Sequence, residues 1–121
     1  MVSSAKVLSI GLGDLVSSRN AALRTLGFEV VAVTSFVEVV QQCGAVSFDV
    51  AIVGDAFSVL EKVEFVRCVR NIYGVPVILI AEGHPLVSLR ADLYVDVEAP
   101  VEDLIWAIRQ LTQVRSRSAA G

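Results

Sequence analysis

The chain has 121 residues, which corresponds to about one domain, and 55% of its residues are hydrophobic while 19% are charged. This composition supports a packed core and excludes a disordered segment. The net charge of −3 gives no general attraction to phosphate backbones, so nucleic-acid binding is not expected. We expect a single domain over residues 1–121, structured over about 5–114, with residues 115–121 as a flexible tail.

The sequence also bears on location and on metal or disulfide chemistry. No apolar run approaches the ~20 residues that span a bilayer, and the first residues lack the charged flank and cleavage site of a secretory signal. A cytoplasmic location without membrane contact is therefore expected. Cys43 and Cys68 have neither metal-site nor disulfide-framework spacing, so both are expected to be reduced packing residues.

Short runs rich in Val, Ile and Leu alternate with segments of helical period along the chain. The predicted strands are Lys6–Ile10, Glu29–Thr34, Asp49–Val53, Val75–Ala81 and Leu93–Val97. The predicted helices are Leu15–Leu26, Phe36–Cys43, Val59–Ile72, Pro85–Arg90 and Val101–Val114. This alternation is typical of a parallel sheet with crossover helices.

Small residues mark the predicted helix ends. Gly27, Gly44 and Gly74 each follow a helical stretch, where a residue that can adopt a positive φ terminates the helix. Ser35 and Ser58 precede helical stretches and are expected to cap them.

Five segments, in order and spacing, carry a resemblance to a known family. They are Lys6–Ile10, Leu23–Val30, Phe48–Val53, Pro76–Ile80 and Ala99–Leu104. Together they resemble the receiver domain of bacterial response regulators, the CheY-like family, over about residues 5–114. The resemblance implies a flavodoxin-like three-layer α/β sandwich, with a five-stranded parallel sheet in order 2-1-3-4-5 and five helices on both faces. It also implies a role in two-component or phosphorelay signal transduction.

The residues that carry phosphorylation in the family are absent at the matching positions. The acceptor aspartate position reads Gly54, and the nearest acid, Asp55, comes one residue later. The acid pair that helps hold magnesium, the Ser or Thr after the fourth strand and the Lys before the last proline are also replaced. These positions read Gly11, Leu12, Ala81 and Ala99. The resemblance therefore implies an atypical receiver with no catalytic residue, no metal site and no cofactor.

A relocated site is the alternative. Asp14 and Asp55 both fall in loops at the carboxyl edge of the predicted sheet, where ligands bind in open α/β folds. Asp55 as the acceptor, with Asp14 and Mg²⁺, would rebuild a phosphorylation site. However, the predicted edge loops (11–14, 54–57, 81–85 and 98–100) contain no Lys or Arg, and Glu82 would repel a phosphoryl group. We expect an acidic, uncompensated edge on which Asp55 is a loop acid.

A third option is a small flavodoxin-like domain that binds a nucleotide or flavin at the same edge. Residues 11–14 read Gly-Leu-Gly-Asp after the first strand, which faintly suggests a phosphate-binding glycine loop. The segment lacks a third glycine and any basic residue, so a tight turn with Asp14 as a helix cap is favoured. His84, the single histidine, is expected in a surface turn, and no nucleophile pattern indicates a hydrolase.

The last predicted helix offers an interaction surface. Its apolar residues share one face, which is expected to pack on the sheet: Val101, Leu104, Ala107, Ile108 and Leu111. Trp106 projects almost opposite, and an exposed tryptophan is a common interface anchor. The resemblance places partner docking and dimerisation on the face formed by the fourth helix, fifth strand and fifth helix. We therefore expect a non-enzymatic interaction module that contacts a signalling protein or a second copy through this face.

Overall fold

The computed structural model describes residues 5–42, 47–82 and 91–120, with side chains to residue 113 in the last range. The elements in chain order are β1 Lys6–Ile10, α1 Asp14–Thr25, β2 Glu29–Val33, α2 Phe36–Gln41, β3 Val50–Val53, α3 Val59–Ile72, β4 Val77–Ala81, β5 Leu93–Asp96 and α4 Val101–Ala120. The described ranges thus hold four helices. The fifth predicted helix, Pro85–Arg90, and the predicted helix end at Gly44 lie outside the described residues.

The five strands form one parallel sheet in the order β2-β1-β3-β4-β5, which confirms the predicted topology. Strands β3 and β4 are buried along their whole length because helices cover both faces of the sheet. Parallel pairing brings the carboxyl ends of all strands to one side of the sheet. We call this side the carboxyl edge, and Gly11, Gly54 and Glu82 are the residues that directly follow β1, β3 and β4 there.

Two apolar layers, one on each face of the sheet, form the core. Successive residues of each strand point to opposite faces of the sheet. Residues such as Leu8 and Leu79 pack against α2 and α3, and their neighbours in the same strands, such as Val7 and Ile78, pack against α1 and α4. On the first face the Phe65 ring stacks on Phe36 with centroids 4.0 Å apart and lies 4.6 Å from the Phe57 ring. The result is the predicted three-layer sandwich.

The helix ends lie within two residues of the predicted ones, except at the end of α4. Ser58 forms a reciprocal capping box with Glu61, and the Ser35 side chain accepts a hydrogen bond from the Glu38 N–H. Gly27 and Gly74 adopt φ values of 96° and 64° after α1 and α3. Helix α4 continues to Ala120, beyond the predicted end at Val114, because the Arg, Ser and Ala residues that follow contain no Gly or Pro before Gly121.

Cys68 lies partly buried on α3 and packs against the core layer shared with α2. Burial, assisted by the negative charge of Glu64, raises the pKa of its thiol. The group is therefore a protonated packing residue at neutral pH, as predicted. Cys43 lies outside the described residues.

A buried hydrogen bond joins β1 to α1. The Ser9 hydroxyl donates to Oδ1 of Asn20 at 2.7 Å, and both residues are buried. We expect Asn20→Ala to lower the free energy of unfolding by about 1–3 kcal/mol, because it leaves the Ser9 hydroxyl buried without its acceptor. Ser9→Ala combined with Asn20→Leu, measured by urea denaturation, should cost less than the sum of the two single changes. Strict additivity would contradict a coupled pair.

Candidate functional site

Two glycines meet at the centre of the carboxyl edge. The Gly54 N–H donates to the carbonyl of Ile10 at 2.8 Å, and the Gly11 N–H donates to the carbonyl of Val33 at 3.1 Å. Both glycines are buried. A Cβ added at Gly54 would lie 3.3 Å from the Ile10 carbonyl oxygen and 3.5 Å from the Gly11 Cα. The loops after β1 and β3 therefore approach backbone to backbone, and the lack of side chains permits this contact.

Val16 of α1 closes the space above these glycines. A Cβ added at Gly11 would lie 2.7 Å from the Val16 Cγ2, a separation that real Cβ atoms essentially never show. The same methyl group would lie 3.7 Å from a Cβ added at Gly54, and Val16 is 7% exposed. The position that the resemblance assigns to a metal-holding acid is thus filled by an aliphatic side chain, which would also be in ordinary van der Waals contact with a side chain at the acceptor position.

The other positions predicted to have lost their groups lie near the same edge. Ala81 is the last residue of β4, 6% exposed, and is followed by the exposed Glu82. Leu12 is exposed in the loop before α1. Ala99, in the turn after β5, packs against the core layer that faces α1 and α4. Apolar groups occupy all three positions, so none supplies a ligand for an anion or a metal.

The structure corrects the predicted role of Asp14. Gly13 is the N-cap residue of α1, with φ of 99°, and Asp14 is the exposed first residue of the helix. A positive φ is accessible to glycine at little cost, so the chain turns into the helix one residue before the aspartate. Asp14 then contributes through its charge in the first turn, where the helix dipole favours an anion.

Arg19 is a residue that the sequence prediction missed. It lies partly buried on α1, where burial lowers the pKa of its guanidinium and the negative charge of Asp55 raises it in opposition. Asp55, half-buried in the loop after Gly54, therefore has a cationic neighbour. The expectation of an uncompensated edge considered the loops alone. Helix α1 adds the charge of Arg19, although the described side chains of Arg19 and Asp55 form no salt bridge.

The described residues of this edge bring few carboxylates together. Within residues 5–42, 47–82 and 91–120, no three His, Cys, Asp or Glu side chains converge in a way that could hold a metal ion. A protein-bound Mg²⁺ is usually held by at least one carboxylate, and Gly11 and Gly54 offer none. In the glycine loop, the Gly11 N–H already donates to the Val33 carbonyl and is not a free donor for a phosphate.

A second feature is a groove of about 230 Å³ between β5 and α4. It is lined by Leu93, Tyr94, Val95, Asp96, Ala99, Asp103, Trp106 and Ala107. Trp106 is 58% exposed, which confirms the predicted outward direction, while Leu104, Ala107 and Ile108 are buried against the sheet. Sequence periodicity identified Trp106 but not its neighbours Tyr94 and Asp96, which come from the edge strand β5.

Two further predictions concern His84 and membrane-spanning segments. His84 lies outside the described residues. No helix in the described part of the chain is long and apolar enough to cross a membrane.

No protein-family model matches the sequence. No curated protein matches it either. Solved structures do match. A chemotaxis response regulator of Vibrio cholerae, CheY4, is 22% identical, with a TM-score of 0.75 over 90% of this chain and 99% of that one. The receiver domain of a Pseudomonas aeruginosa sensor histidine kinase, with magnesium coordinated in its active-site cleft, is 16% identical, with a TM-score of 0.76 over 92% and 99%.

A third match is an adenylate cyclase structure from Rhodopirellula baltica, 16% identical, with a TM-score of 0.81 over 97% of this chain and 96% of that one. At these identities the matches establish the fold. The chain has the CheY-like receiver fold, as the five sequence segments predicted.

Proposed function

We propose that this chain is an atypical receiver domain of a two-component or phosphorelay system, which acts by protein–protein contact and has no catalytic activity of its own. The observation that carries the proposal is the packing of Val16 against Gly11 and Gly54. At Gly11, where a receiver needs an acid, the buried Val16 side chain leaves no space for one, and the acceptor position, Gly54, carries no acid.

Phosphoryl transfer requires an acceptor, a cation to neutralise charge and positioning within about an ångström. The Pseudomonas aeruginosa receiver coordinates magnesium in its active-site cleft. The matching positions of this chain, Gly11 and Leu12, offer no carboxylate, and the acceptor position is Gly54. The hydrophobic frame of the fold is kept while the phosphorylation groups are absent, and this combination supports a scaffold used for contact.

Asp55 gives the second candidate function, a receiver that accepts phosphate at a displaced position with Asp14 and Mg²⁺. The observation in its favour is Arg19, whose charge lies near Asp55 and could neutralise a bound anion. The same observation supports the simpler role, in which Asp55 is a structural acid whose charge interacts favourably with that of Arg19 on α1. We prefer the structural role because, among the described residues, no three His, Cys, Asp or Glu side chains converge to hold a metal ion beside Asp55.

The two candidates differ in a direct test. We expect no stoichiometric adduct by intact-protein mass spectrometry after incubation with acetyl phosphate and Mg²⁺. Beryllofluoride with Mg²⁺ should likewise leave the emission of the single tryptophan unchanged. A phosphorylatable receiver treated in parallel is the control for the reagents. An adduct that forms in the natural chain and is lost in Asp55→Asn would overturn the proposal and establish the displaced site.

The contact surface that we propose is the one around Trp106. Trp106 has a large exposed apolar area and lines a groove. It also lies on a helix that packs on the sheet, and these are features of an interface anchor. The partner that binds this surface is a signalling protein or a second copy of the chain. The charges of the groove favour one of these partners over the other.

A further inference from the structure

We propose that the groove between β5 and α4 binds an arginine or lysine side chain of a partner protein, presented on a segment that also carries apolar residues. This inference rests on the proposed function, since it specifies the partner of a domain that acts by contact. The groove volume of about 230 Å³ is of the size that one long side chain fills.

The walls of the groove suit the aliphatic stem and the charged head of such a side chain. Trp106 and Tyr94 supply aromatic groups, and Leu93, Ala99 and Ala107 supply apolar surface. A cation placed over the face of a tryptophan or tyrosine is attracted by the ring quadrupole, and arginine is the side chain most often found there. The stem of an arginine or lysine also packs on apolar surface while its head stays at a polar rim.

Two carboxylates provide that polar rim. Asp96 ends β5, and its Oδ1 accepts a hydrogen bond from the Glu98 N–H at 2.8 Å, which fixes the orientation of the carboxylate. An ionised carboxylate has about four acceptor positions, so Asp96 can accept further donors. Asp103 lies in the first turn of α4 on the opposite wall. Guanidinium and carboxylate groups match in geometry and form strong charge-assisted bonds.

The surrounding charges favour a basic occupant. Every charged residue between 91 and 108 is acidic, and the exposed Glu98 and Glu102 neighbour lining residues in the chain. The nearby cations are Arg70, which pairs with Asp92, and Arg109, one turn after Trp106 on α4. The lining residues include no Lys, Arg or His. A second copy of the chain carries the same net charge of −3, which opposes its approach, whereas a basic segment is attracted. Charge complementarity therefore selects a basic partner over a homodimer.

The test uses a fluorescein-labelled peptide in which arginine alternates with leucine, and a matched peptide with citrulline in place of arginine. Binding is followed by anisotropy, with light scattering for the oligomeric state. We expect the arginine peptide to bind and Asp96→Asn combined with Asp103→Asn to weaken it by about tenfold, as for loss of charge-assisted hydrogen bonds. Trp106→Leu should weaken it about threefold, the scale of an exposed cation–π contact.

The matched control is Glu64→Gln on α3, an exposed acid that lies 3.6 Å from Arg67, outside the groove. It removes charge without touching the lining and should change the affinity less than twofold. Thermal melts check that each variant is folded.

Three results would each overturn the inference: equal binding of the citrulline peptide, equal weakening by Glu64→Gln and by the combined Asp96→Asn and Asp103→Asn change, or no binding of the arginine peptide, with or without a dimer that Trp106→Leu dissociates. The last result would assign the groove to a second copy. None of these results involves phosphorylation, whereas the proposed function is overturned by an adduct formed with acetyl phosphate and Mg²⁺. The failure of this inference can therefore be distinguished from the failure of the proposed function.

Discussion

Replacing Gly11 by alanine is expected to lower the free energy of unfolding by about 1–3 kcal/mol, the usual cost of overpacking a filled core. The added Cβ would lie 2.7 Å from the Val16 Cγ2, so either the loop after β1 or helix α1 has to move. Val16 is buried and branched at Cβ, which leaves it few alternative rotamers in a helix. Urea denaturation of the two proteins measures the difference.

The steric cause can be isolated with Val16→Ala. If the clash produces the loss, Gly11→Ala should cost much less in the Val16→Ala background, with a coupling energy of about 0.5–3 kcal/mol. Gly13→Ala is the matched control. Its φ of 99° makes any side chain strained, yet nothing lies within 4 Å of the added Cβ, so Val16→Ala should not relieve it. Additive behaviour of Gly11→Ala and Val16→Ala would contradict a sealed edge.

The contact of Val16 with Gly11 could not be predicted from the sequence, although both residues are visible in it. The Val-rich strands and the glycine and serine helix ends predicted elements such as β1 and α3, because local conformational preferences and burial act over short segments. The strand order followed from the family resemblance and not from these local signals. Helical periodicity also indicates that Val16 faces inward. It does not say which strand end a helix residue covers, because that depends on how far along the sheet α1 sits, a tertiary property.

The same limit explains Arg19 and the groove. Arg19 is charged and lies beyond the loop, so a search of the loops for cations overlooked it, and only the packing of α1 brings it near Asp55. The groove combines Tyr94 and Asp96 from β5 with Trp106 from α4. These residues are separated in sequence and come together where α4 packs beside β5, an outermost strand of the sheet. The absence of the phosphorylation-site side chains can be seen in the sequence. The tertiary contacts made at those positions can be seen only in the folded structure.

Restoring the acceptor acid with Gly54→Asp is expected to destabilise the domain rather than to recreate a switch. The new side chain would begin 3.3 Å from the Ile10 carbonyl oxygen, an acceptor that repels a carboxylate, and close to the Val16 methyl group. Gly54→Asn has nearly the same volume and no charge. At pH 7 we expect the aspartate variant to be less stable than the asparagine variant by about 1–3 kcal/mol, the cost of burying a charge that is poorly paired.

This difference should depend on pH in a direction that identifies its cause. Desolvation raises the pKa of the introduced carboxyl in the folded state above its unfolded value. The penalty is then complete above the folded pKa and is lost as the pH falls through it, so the two variants converge in acid. Urea denaturation from neutral to acidic pH measures the convergence. An aspartate variant as stable as the asparagine variant at pH 7, or one that gains an adduct from acetyl phosphate and Mg²⁺, would mean that the edge is open. The proposed loss of phosphorylation would then rest on Gly54 alone instead of on the apolar contact between α1 and the ends of β1 and β3.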